Sequence, residues 1–137
     1  MPYLHAAFLC DSAADYGGKV SVLGGFISLF NCQDLPSAGL VHFVGRVAFD
    51  SSEVRQSHKF SVSVVDPSGE VMFSVTSTVV PTQVVQDDEI KLHQGLNLIL
   101  PLALTFNVLG VHWVKLEVDG VSMAELPLQV RQLHADQ

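Results

Sequence analysis

Apolar residues recur at every second position through most of this chain. The clearest run is 96–107, where Leu96, Leu98, Leu100, Leu102, Leu104 and Phe106 alternate with positions that include Asn97, Thr105 and Asn107. A period of two lays the leucines along one face of an extended strand. On a helix the same spacing would scatter them around the circumference. The same alternation predicts strands over 3–10, 19–23 continuing over 26–30, 40–49, 58–66, 71–80, 111–119 and 123–133. Phe60, Val62 and Val64 fall on one face, as do Val71, Phe73 and Val75, and Val114, Leu116 and Val118. These faces, with Leu98, Leu100, Leu102 and Leu104, are the expected core.

Turn residues separate the runs. Residues 11–18 read as a loop closed by Gly17-Gly18, and Gly24-Gly25 reads as a bulge or bend inside a strand. Residues 31–39 and 50–57 read as loops. Asp66-Pro67-Ser68-Gly69 and Asp119-Gly120 carry the residue types of tight hairpin turns. Between 81 and 95, Asp87-Asp88-Glu89 forms a polar tip between short strands around Val84-Val85 and Ile90-Leu92. Pro81, Pro101 and Pro127 belong at strand edges, ends or bulges, because proline cannot donate to a ladder. No segment sustains a helical period, and no repeat, linker or low-complexity tract is present. The prediction is an all-β fold: one domain over residues 1–137, a single antiparallel β-sandwich of about eight strands, immunoglobulin-like in architecture.

Composition narrows the function classes. The chain of 137 residues can bury a full core without disulfides or metals. Only 15% of residues are charged, against about a quarter in an average domain, so part of the surface is expected to be covered by a partner or by further copies. The net charge is −7, and the seven basic residues are scattered, with no two adjacent. Nucleic acid and anionic membranes both demand a basic patch, so neither is an expected partner. The N-terminal residues MPYLHAAFLCDSAAD lack the basic flank and apolar core of a signal peptide, and no apolar run approaches the roughly 20 residues of a bilayer span. A soluble, cytoplasmic protein is expected, with Cys10 and Cys32 as free thiols.

Candidate chemistry is sparse. The six histidines, His5, His42, His58, His93, His112 and His134, show no zinc-type spacing. His5, His42 and His112 lie within strands and could meet only through the fold. No serine sits in a nucleophile elbow, and Cys10 reads as a small core residue. Loop carboxylates could gather for calcium, but Asp66 and Asp119 begin tight turns, where aspartate serves local hydrogen bonds. No catalytic residue, metal or cofactor is expected. Trp113, the single tryptophan, shares a face with Lys115 and Glu117 and is therefore the candidate interface anchor on the outer face.

The segments AAFLCDSA and GGKVSVLGGF, with the later VVDPSGE, LNLILPLALTF and GVHWVKLEVDGV, resemble an uncharacterised family of small bacterial all-β proteins in the immunoglobulin-like style. The resemblance covers most of the chain. It implies an all-β fold and a bacterial or phage source, and no activity. Three functions are open at this point. The first is a non-enzymatic protein-interaction or assembly module acting through sheet edges or loops, with a protein partner or self-association. The second is a β-sandwich that binds a small ligand, a carbohydrate or metabolite. The third is a small enzyme built from dispersed histidines.

Overall fold

A computed structural model describes residues 2–50, 52–81 and 94–133. The described residues form nine strands and no helix: β1 (Tyr3–Tyr16), β2 (Lys19–Gly25), β3 (Leu29–Cys32), β4 (Ser37–Phe49), β5 (His58–Val65), β6 (Val71–Val79), β7 (Gln94–Phe106), β8 (Gly110–Val118) and β9 (Val121–Gln132). One sheet has the order β2-β1-β4-β7 and the other β3-β9-β8-β5-β6. The expected short strands near 84–85 and 90–92, and the acidic tip between them, lie outside the described residues.

The two sheets share one core. Leu9, Phe43, Phe49 and Leu102 from the first meet Val64, Leu116 and Leu128 from the second. The alternating leucines of β7 behave as their period requires: Leu102, Leu104 and Phe106 are buried, while Leu96, Leu98 and Leu100 pack against the core with part of their surface exposed. Asp119 and Gly120 both take positive φ, and Val118 pairs with Val121 across them, which is the geometry of a tight two-residue hairpin.

Four expectations require correction. First, residues 11–16 are not a loop, because β1 runs to Tyr16 and reverses at Gly17-Gly18 alone, where both φ angles are positive. Second, the strand through Gly24-Gly25 does not resume in the same sheet. Gly24 and Phe26 take positive φ, and the chain crosses to the second sheet as β3. There are thus nine described strands rather than about eight. Third, the pairing is not wholly antiparallel, because β3 runs parallel to β9. Fourth, Val71 is not in the core but 62% exposed. The register steps by one residue in β5 and two in β6, from Val64↔Phe73 to Val65↔Val71. Met72 is the extra residue of this bulge, and it sends Val71 to the opposite face.

The corrected hairpin has a consequence for the first sheet. Ala6 pairs with Arg46, and Arg46 pairs with Asn97. A β1 that continued straight would carry Gly18 about 40 Å from that level, at roughly 3.3 Å per residue. Instead Asn97 Nδ2 donates to the Gly18 carbonyl at 3.1 Å, and Arg46 Nη1 donates to Asn97 Oδ1 at 2.7 Å. Nearer the bend, His42 Nδ1 donates to the Asp11 carbonyl at 3.1 Å. The β1–β2 hairpin therefore folds back over the outer face of its own sheet. Cys10 and Val44 lie on that outer face and are buried.

Candidate functional site

Among the described residues, nothing covers the second sheet in this way. Along β8 the side chains alternate between buried and exposed, and Trp113 lies on the outer face, 38% exposed. Register places Pro127 of β9 beside it on one side and Val65 of β5 on the other, with Val71 of β6 beyond Val65. An apolar row thus crosses four strands. Val111, which precedes Trp113 on the same face, extends it toward one end of the sheet, and Leu29 of β3 lies at that level with Gln129 of β9 between them. Toward the other end the next row is polar: Glu125, Lys115, Ser63 and Ser74 stand side by side. Lys115 Nζ lies 3.8 Å from Glu125 Oε1. The strip thus holds one aromatic side chain among apolar ones and is edged by polar side chains, a composition that protein-docking surfaces share.

A second constellation sits at the far end of the same sheet. His58 begins β5 and is buried. Its ring stacks on Phe49 with centroids 4.6 Å apart. Its Nδ1 lies 2.8 Å from Asp119 Oδ2, and its Nε2 lies 3.0 Å from the Glu53 carbonyl. The Lys59 amide donates to Asp119 Oδ1 at 2.8 Å, which fixes the carboxylate. Burial alone would push the imidazole pKa down. The hydrogen bonds to Asp119 and to the Glu53 carbonyl, with the negative charge of both acids, outweigh burial and raise it. Asp119 is held below the usual carboxylate range by its hydrogen bonds from His58 and from the Lys59 amide. A histidine–aspartate pair resembles the base of a hydrolytic triad, but here Nε2, the nitrogen that would take a proton from a nucleophile, is occupied by a backbone carbonyl. Asp119 also departs from expectation, because its carboxylate reaches β5 rather than serving its own turn.

The other sequence candidates do not converge. His5 is exposed on β1 and His42 is on the outer face of the first sheet. His112 is fully buried between the sheets, with Nδ1 donating to the Gly110 carbonyl at 3.1 Å and Nε2 without a hydrogen-bond partner among the described residues. The enzyme reading thereby loses its best cluster. His93 and His134 lie outside the described residues. Cys10 and Cys32 are buried free thiols, and burial raises the Cys10 pKa, which disfavours the thiolate needed for nucleophilic attack. Asp66 Oδ1 accepts from both amide and hydroxyl of Ser68 and from the Glu70 amide, the local role expected of it. Among the described residues no three His, Cys, Asp or Glu side chains gather to hold a metal.

A cavity of about 170 Å³ opens between β6 and β7, over Phe43, Phe60, Val62 and Val75. Pockets for metabolites usually exceed 300 Å³ and place several polar groups around the ligand. Among the described residues that line it, Ser77 is the one with a polar side chain, which is a poor match for a carbohydrate.

Alternation alone places Trp113 outward. Its apolar neighbours Val65, Val71 and Pro127 depend on strand order and on the Met72 bulge, which no local pattern announces. The His58–Asp119 pair spans two hairpins, and its one sequence signal is a histidine at a strand start in a chain that also holds an Asp-Gly turn. Among known proteins, the model of DUF6941, a family of unknown function, matches residues 5–131. No curated protein matches the chain.

Proposed function

Because the chain belongs to DUF6941, a family that brings no activity with it, we propose its function from its surfaces. The protein is an immunoglobulin-like β-sandwich that acts as a non-enzymatic interaction or assembly module. It docks a protein partner, or further copies of itself, through the outer face of the five-stranded sheet, with Trp113 as anchor. One observation carries this reading: Pro127, Trp113, Val65 and Val71 stand side by side across four strands on a face that no other part of the described chain covers. The low share of charged residues, 15%, supports it. The setting we propose is the bacterial cytoplasm, supported by the buried, unpaired thiols and by the family style of the sequence.

Native mass spectrometry on protein isolated at natural abundance tests the reading. The expected spectrum shows multiples of the 14.8 kDa chain, or that chain with added protein mass. Trp113→Ala is expected to return it to the bare chain, at a cost of about 1 kcal/mol in stability because the side chain is already half in water. A wild-type spectrum of bare chain, unaltered by Trp113→Ala, would overturn the reading.

A further inference from the structure

We infer that His58 is a pH-gated clasp: as an imidazolium it holds residues 52–57 against the end of the core, and as a neutral ring it releases them. Both ring nitrogens face groups that can only accept. Nδ1 meets the Asp119 carboxylate at 2.8 Å, and Nε2 meets the Glu53 carbonyl at 3.0 Å. A neutral imidazole has one N–H and can satisfy one of these. A ring that is 4% exposed cannot pass the second nitrogen to water, so its observed position requires both protons.

The surroundings favour that charge. Among the described residues, the charged groups that act on His58 are Asp119 from the β8–β9 turn and Glu53 from the loop, and both are acidic. β4 contributes the Phe49 ring, and β6 contributes Val79 as the cross-strand neighbour. Lys59 follows on the opposite face of β5, is exposed, and offers the cluster only its amide.

Release is one-sided. When His58 loses a proton, the remaining one stays on Nδ1, because a carboxylate is the stronger acceptor. Asp119 is also locked in place by the Lys59 amide. The Nε2 lone pair then confronts the Glu53 carbonyl oxygen, acceptor against acceptor. The β8–β9 turn keeps its tie, and the loop loses one. Its remaining ties include the Arg55 amide to the Pro81 carbonyl at 2.7 Å and the Asp50 amide to Glu53 Oε1 at 3.2 Å. The buried His58 Nε2, which the Glu53 carbonyl caps at 3.0 Å, is what the released loop would uncover.

The test is nuclear magnetic resonance on the ¹⁵N-labelled full chain from pH 5 to 9. The ring nitrogens of His58 report protonation, and amide-exchange protection factors report the loop. Both nitrogens are expected to be protonated at the acidic end, and Nε2 alone to lose its proton on titration. Through the same midpoint the protection of the Arg55 amide is expected to fall at least tenfold, while those of Lys59 and Asp119 hold. Asp119→Asn is expected to lower the midpoint. A His58 that is neutral at pH 5, that loses the Nδ1 proton first, or that titrates without change at Arg55 overturns the inference. The wild-type titration decides the matter even if the variant does not fold.

Discussion

The two sheets treat their outer faces in opposite ways. The four-stranded sheet folds its own β1–β2 hairpin back over β4 and β7, so β4 is buried on both sides from Phe43 to Phe49 except at Arg46. Among the described residues nothing folds over the outer face of the five-stranded sheet, and β8 shows one buried face and one wet one. The residues follow suit. β4 reads VHFVGRVAF, close to a continuous apolar run, whereas β8 reads VHWVKLEV, with polar side chains at every other place after Trp113. A strand covered twice has little use for alternation, and a strand covered once depends on it. Tryptophan at a wet position of β8 is the exception to that pattern, which is why it draws attention as an anchor.

The largest expected effect removes what both faces share. Leu102 is fully buried between the sheets, and Leu102→Asp places an unpaired charge there. Loss of folding is expected, since a domain holds only about 5–15 kcal/mol in total. A soluble, cooperatively melting variant would mean that the face of β7 is wrongly assigned. The next test sets one outer face against the other. Val44→Asp, beneath the hairpin, is expected to cost at least about 3 kcal/mol in urea unfolding, and Thr76→Asp, on the bare sheet, no more than about 0.5 kcal/mol. Equal costs would show that the hairpin is not a true cover.

A smaller effect separates the ends of the bare sheet, of which one carries Trp113 and the other the histidine clasp. The raised pKa of His58 means that its contribution to stability is full below the ordinary imidazole value of about 6.5 and is lost as pH rises through the higher native value. The lowered pKa of Asp119 means that its contribution is full above about 3.9 and is lost as pH falls through the lower native value. The pair therefore stabilises most between those two limits. Denaturant midpoints measured from pH 3 to 9 are expected to peak there, and Asp119→Asn to flatten both limbs. Stability that climbs steadily from pH 6 to 9 would contradict the assignment.

Much of the fold was legible, for reasons that also explain the misses. Alternation located the strands that bury one face, and Asp119-Gly120 marked its hairpin, because those signals are local. Residues 11–16 were missed because Ser12, Ala14 and Tyr16 face solvent and the opposite side carries only Asp11, Ala13 and Asp15, so no apolar stripe marks that half of β1. The sheet switch of β3 and the Met72 bulge follow from tertiary packing, which single-strand patterns do not carry. Trp113 was legible as an outward residue, whereas the row it belongs to was not. His58 and Asp119 lie 61 positions apart in the chain, and nothing near either one announces the other.

The pairing of β4 with β7 bears on how the chain reaches this structure. Ser37 meets Phe106 and Phe49 meets Gln94, so every rung of that ladder joins segments that are distant in sequence. Such contacts close only after a long loop has been ordered, which slows folding. During that search the uncharged, proline-free segments 95–100 and 102–107, on either side of Pro101, are available to their counterparts on another molecule, and such segments seed cross-β aggregates. Refolding yield is therefore a race between one intramolecular pairing and many intermolecular ones, and dilution favours the first.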